Sequence, residues 1–176
     1  MLGKALKSKR QQAIIATKVR GRTGPGPNEI GLSRLNIIRE VEDSLRRLNT
    51  DYIDLYQIHN PDQLTDWEET LRALDDLVRS GKVRYIGSSN LTAWQIMKSR
   101  AISQLHGLHA FKSSQSYYSL AGRELEREII PALRDQNMGL IVWSPLAGGF
   151  CRENTPGNTR AEQAIALPSS RSLPWT

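Results

Sequence analysis

The chain has 176 residues, 39% hydrophobic and 24% charged, which is enough for one folded domain with a real core. Net charge is +6, but the Lys and Arg residues are scattered and "KALKSKR" reads as a solvated helix face, so no nucleic-acid partner is expected. Cys151 is the only cysteine, which excludes an intrachain disulfide, and no segment approaches the ~20 apolar residues that span a bilayer. The N-terminus "MLGKALKSKRQQ" lacks the apolar core of a signal peptide, so a soluble, cytoplasmic chain without a membrane partner is expected. A mild positive balance suits a phosphate-bearing small molecule.

In chain order, "AIIATKV" (residues 13–19) has strand character, and the Gly- and Pro-rich loop "RGRTGPGPNEIGLS" follows it. Ser33 caps a predicted helix in which Ile38, Val41, Leu45 and Leu48 recur at helical spacing. A strand is expected over residues 52–59, "YIDLYQIH", ending abruptly in Asn60-Pro61-Asp62. The next helix carries Trp67, Leu71, Leu74 and Val78 and stops at Ser80-Gly81.

The alternation then repeats. "VRYIG" is a strand and "SSN" its turn, and Thr92 with Gln95 forms a capping box for a helix expected to bury Trp94, Met97, Ala101 and Leu105. "FKSSQSYY" is a less apolar strand. A helix over residues 124–136 is interrupted or restarted at Pro131. "MGLIVWSPL" is a strongly apolar strand ending in Trp143-Ser144-Pro145. Connections of this length make the strands parallel, which leaves two α/β architectures: an open doubly wound sheet or an eight-stranded barrel.

In both, ligands gather at the carboxyl ends of the strands. Those ends carry Lys18, His59, Ser88-Ser89-Asn90, Gln115 and Trp143-Ser144. A single strand-end lysine or histidine is commonly solvated or structural; polar groups at five successive strand ends are harder to dismiss. Other chemistries lack their motifs. There is no Gly-Lys-Ser/Thr of a P-loop, no dinucleotide glycine fingerprint and no G-x-S-x-G elbow. His106 and His109 have no Cys or acidic partner nearby in sequence, so no metal site is expected.

The blocks "IATKV", "GLSRLNIIREVEDSLRRLNTDYIDLYQIHNPD", "LVRSGKVRYIGSSNLTAWQI" and "GLIVWSPLAGGF" resemble, in order and spacing, the aldo-keto reductase family. The resemblance covers Met1 to Phe150. It implies a (β/α)8 TIM-barrel type of fold and hydride transfer between NADP(H) and a small aldehyde or ketone. The family uses a Tyr as proton donor, a Lys that lowers its pKa, an Asp paired with that Lys, and a His at the substrate oxygen. The matching positions here are Lys18 and His59. By the same resemblance Ser89 and Asn90 hold the nicotinamide carboxamide, Gln115 lies near it, and Trp143 stacks on its ring. Ser144, Pro145, Leu146 and Gly148 line the pyrophosphate path.

The family's Asp and Tyr have no counterpart in this chain. Asp51 and Tyr56 mimic their spacing but lie in the strand leading to His59, and Tyr52, Tyr85, Tyr117 and Tyr118 are also out of place. About five of eight strand–helix units are expected over residues 1–150, and residues 151–176 read as a divergent or disordered tail. The expectation is an incomplete barrel, truncated and inactive in isolation. The alternative is a non-catalytic relative that binds nucleotide or a protein partner. The physiological carbonyl and the oligomeric state are left open.

Overall fold

A computed structural model describes residues 2–6 and 8–151 of the chain. The tail expectation therefore falls, after Cys151, outside the described residues. Five strands, β1 (Ala16–Val19), β2 (Ile53–Ile58), β3 (Val83–Ser89), β4 (Ser113–Tyr117) and β5 (Gly139–Trp143), form one sheet in the order β1-β2-β3-β4-β5. All four pairings are parallel.

That order decides between the two architectures. A doubly wound sheet reverses strand order at a switch point, where helices change face. Here each strand pairs with its successor, so right-handed crossovers place the helices on one side. The helices α2 (Arg34–Leu48), α3 (Trp67–Arg79), α4 (Ala93–Leu105) and α5 (Ile129–Asp135) indeed pack each on the next, after a short α1 (Leu2–Ala5) that lies against α2. Five parallel strands wound in one direction are an arc of a (β/α) barrel. No described helix is long and apolar enough to cross a membrane.

Alternation along the strands separates two faces. Val19, Tyr56, Ile58 and Ile86 point to the helices and join Ile37, Val41, Leu71, Leu74 and Ile96 in the buried core. The opposite face carries, in register, Lys18, Gln57, Gly87 and Ser113, and nearer the rim Ser89 beside Gln115. Tyr56 is 0% exposed in the helix layer, and burial, with nearby Glu40 adding to it, pushes its phenol far above the ordinary tyrosine range.

Helix boundaries follow their caps. The Ser33 side chain accepts from Asn36 N at 3.3 Å, and Asp66 accepts from Glu68 N at 2.7 Å. Gln95 Oε1 accepts from Thr92 N at 3.0 Å, and the expected capping box of Thr92 and Gln95 is formed. Gly81, just past α3, takes the left-handed φ of +76°.

Four expectations need correction. The first strand begins at Ala16 rather than Ala13, because Ile15 N is held by the Asp54 carboxylate at 2.8 Å, which Arg10 also pairs at 2.8 Å. Ser88 and Ser89 belong to β3, and only Asn90 turns the chain. The 124–136 segment opens as a 3-10 turn (Glu124–Glu126) rather than an α-helix, while α5 follows with Pro131 in its first turn as expected, where no N–H partner is lost. The apolar stripe of α4 faces the wrong way: Trp94 and Leu105 are 61% and 79% exposed, whereas Ile96, Ser99 and Ser103 are buried. Ser99 Oγ donates to Ile96 O at 2.8 Å, so its burial leaves no unpaired group.

His106 and His109 serve separate contacts. His106 Nε2 lies 3.3 Å from Glu68 Oε2, and His109 Nδ1 lies 2.6 Å from Asp75 Oδ1. Asp75, on α3 with a side chain 4% exposed, also accepts from His109 N at 2.8 Å and from Arg79. It ties the segment entering β4 to the helix layer. Burial alone would raise the Asp75 pKa, but the Arg79 guanidinium and the His109 donors outweigh it and hold the carboxyl below its ordinary range. A lowered folded value means that this stabilisation is complete above the unfolded value and disappears as pH falls through the folded one. Asp75→Asn is therefore expected to cost about 1–3 kcal/mol at neutral pH. Urea denaturation should show the difference from wild type shrinking below the ordinary aspartate value of 3.8.

Candidate active site

Parallel strands running the same way bring their carboxyl ends to one rim, and there the sequence places its polar groups. A cleft of about 380 Å³ is lined by Lys18, His59, Ser89, Asn90, Gln115 and Trp143. Six side chains spread over 126 positions of sequence meet because five strands end together. His59 follows the last residue of β2, and its N–H donates to Val19 O at 2.9 Å, so ladder pairing carries its backbone to the rim. Its side chain and that of Lys18 are exposed to solvent there.

Asn90 holds the rim together. It adopts φ +57°, a left-handed conformation that asparagine tolerates better than most residues. Its N–H donates to Gln115 O at 2.9 Å, its Nδ2 donates to His59 O at 3.0 Å, and its Oδ1 accepts from Trp143 Nε1 at 3.0 Å. One residue after β3 thus fastens the ends of β2, β4 and β5. An amide can do this because it carries donor and acceptor on one planar group. Trp143 is further set by Tyr117, with ring centroids 5.0 Å apart and a tilt of 58°.

The remaining expected residues lie off the cleft. Ser144 (φ +52°) and Gly148 (φ +68°) shape the turn after β5, and Leu146 is exposed on it. Pro145 lines a neighbouring hollow of about 350 Å³ with Tyr118, Ser119, Leu120, Arg123 and Val142. None of the five tyrosines lines the cleft itself.

Two residues that matter to the site were not singled out from sequence. Gln57 is buried on the cleft-side face of β2, and its Nε2 donates to Gln115 Oε1 at 3.2 Å. A polar residue at an inward strand position two before His59 was the available signal. Asp62 explains why the strand stops in a turn. Its Oδ2 accepts from Leu32 N at 2.7 Å and from the Thr65 hydroxyl at 2.8 Å, and its Oδ1 accepts from Leu64 N at 3.0 Å. It rivets the loop leaving His59 to the loop leaving Lys18. Burial acts to raise its pKa, but the Leu32 and Leu64 N–H groups, the Thr65 hydroxyl and Arg20 together lower it.

The family model described as "Aldo/keto reductase family" matches residues 1–176. The chain belongs to this family. Among curated relatives, the uncharacterized oxidoreductase YrpG of Bacillus subtilis is 44% identical over 171 residues, covering 93% of this chain and 52% of that protein. Versiconal hemiacetal acetate reductase of Aspergillus parasiticus is 42% identical over 169 residues, covering 85% of this chain and 49% of that protein. An aldo-keto reductase of Alternaria alternata, AMT2, is 42% identical over 138 residues, covering 78% of this chain and 38% of that protein. The chain spans about half the length, or less, of these aldo-keto reductase relatives. The five-stranded arc is an incomplete (β/α)8 barrel of the aldo-keto reductase kind.

If Asp62 rivets the two rim loops, Asp62→Asn turns an N–H donor toward Leu32 N and opens both. Amide hydrogen exchange at Leu32 and Leu64 is expected to accelerate at least about tenfold, with little change at core amides such as Ile86.

Proposed function

We propose that the cleft seats the nicotinamide end of NADP(H) and that Lys18 and His59 serve reduction of a small aldehyde or ketone to its alcohol. The observation that carries this reading is the convergence of Lys18, His59, Ser89, Asn90, Gln115 and Trp143 on one cleft. A planar ring bearing a carboxamide fits neutral amide and hydroxyl partners beside a tryptophan that is 40% exposed. When bound, the cofactor supplies the hydride; the protein orients the carbonyl and manages the proton.

The carbonyl oxygen gains negative charge as its carbon accepts hydride, and it must end protonated. His59, exposed at the rim, hydrogen-bonds that oxygen and fixes its position. The Lys18 ammonium favours negative charge nearby, either on the oxygen or on an acid that protonates it. Ser89 and Gln115 hold the carboxamide, and Trp143 covers one ring face. Asn90 works differently from the others: both ends of its amide are already engaged by His59 and Trp143, so it frames the site. Ser144, Pro145, Leu146 and Gly148 accompany the pyrophosphate.

A second reading, a nucleotide-binding relative without turnover, is favoured by one observation: no tyrosine stands at the cleft. In either reading these 176 residues alone lack a tyrosine acid beside Lys18, and reduction by the isolated chain is expected to fall by roughly 10²–10⁴ from that missing proton transfer.

Mutants of the complete protein separate the two readings. His59→Ala is expected to lower turnover roughly 10²–10³-fold with little change in NADPH affinity, since the imidazole faces the substrate oxygen. Lys18→Met is expected to lower turnover and move its pH dependence. Trp143→Phe should remove most of the fluorescence quenching that NADPH produces. Saturable quenching without carbonyl-dependent NADPH oxidation supports the second reading; no quenching at all rejects both.

A further inference from the structure

Gln57 is 1% exposed and lies one strand removed from Gln115, yet its Nε2 reaches Gln115 Oε1 at 3.2 Å. The bond runs from β2 to β4 and must cross β3. At the crossing stands Gly87, the register partner of both Gln57 and Ser113. A Cβ on residue 87 would lie 3.2 Å from Gln57 Cγ, 3.2 Å from Leu55 Cδ1 and 3.0 Å from Ser113 Oγ. The missing side chain is what leaves room for the Gln57 amide to pass.

An amide has two ends of opposite polarity, and occupying one decides what the other presents. With Gln115 Oε1 taken by Gln57, the Gln115 end left for the cleft is its NH2. That end meets an acceptor, such as a carboxamide carbonyl oxygen, and does not meet a donor. No other described contact sets this choice: Gln57 Oε1 has no partner of its own, so the pair is joined by this one bond.

We propose that Gln57 is a positioning residue, which, given space by Gly87, turns the Gln115 amide so that its NH2 faces the cofactor's carboxamide oxygen. This rests on the reading that the cleft binds the nicotinamide end of the cofactor. Neither Gln57 nor Gly87 touches the cofactor; both act through Gln115.

The test uses the complete protein, NADPH as ligand, and three variants: Gln57→Leu, Gly87→Ala and the double variant. NADPH affinity is read by fluorescence titration, folding by thermal melting, and the Gln115 side-chain NH2 by nitrogen-15 NMR, assigned with Gln115→Leu. Loss of one neutral hydrogen bond predicts that each single variant weakens NADPH about threefold to tenfold. The double variant is expected to be no weaker than the weaker single, because both changes break the same bond. The Gln115 NH2 signals should move in both single variants even without cofactor, which a merely structural role for Gln57 would not produce. Unchanged NADPH affinity, or unmoved Gln115 signals, in either folded variant overturns the proposal. Wild-type protein that fails to bind NADPH overturns the cofactor reading, and this one with it; normal binding by the variants overturns this one alone.

Discussion

Everything at the candidate site depends on parallel pairing in chain order. Because β1 to β5 pair each with the next, all strands run one way and all their carboxyl ends meet at one rim. Parallel strands need long crossovers, and right-handed crossovers put every helix on the same face. One face of the sheet is thus sealed by α2 to α5 and holds the apolar core, while the other is left to carry polar side chains. Reverse one pairing and His59 and Asn90 would stand at opposite ends of the sheet.

The rim itself is organised by neutral amides. Asn90 links three strand ends, and Gln57 links to Gln115 across β3. A buried carboxylate in these places would need a charged partner, and the cost of desolvating both commonly rivals their attraction. An amide offers direction without that cost. It also leaves Lys18 and His59 as the two titratable groups lining the cleft. Carboxylates do appear one layer out, where Asp62 joins the two rim loops and Asp75 joins helix to strand entry. Each is surrounded by N–H donors that favour its charged form, so these groups staple backbone where the amides arrange the site.

None of the chain's five tyrosines lines the cleft that holds Lys18. Tyr56 shows why spacing alone misleads. It sits five residues after Asp51 and three before His59, yet alternation turns it to the helix side, where it is fully buried. A strand position is chemically meaningful only with its face.

Local signals in the sequence were enough to determine much of this protein. Hydrophobic period distinguished strands from helices, Ser33 and the Gly81 stop marked helix ends, and the polar residues closing each strand named all six side chains of the cleft. Such signals are legible because period and capping depend on near neighbours. Tertiary structure alone decided the rest. Trp94, Met97 and Leu105 looked like a core stripe, but α4 buries the face of Ile96, Ser99 and Ser103 and leaves them outward. The Gln57–Gln115 bond joins residues 58 apart in the chain and requires the side-chain-free position at Gly87. Asp62 reaches back 30 residues to Leu32. Sequence shows which groups a strand delivers to its end; only the packed sheet decides which of them touch, because contact across strands depends on register and on the space a neighbouring residue leaves empty.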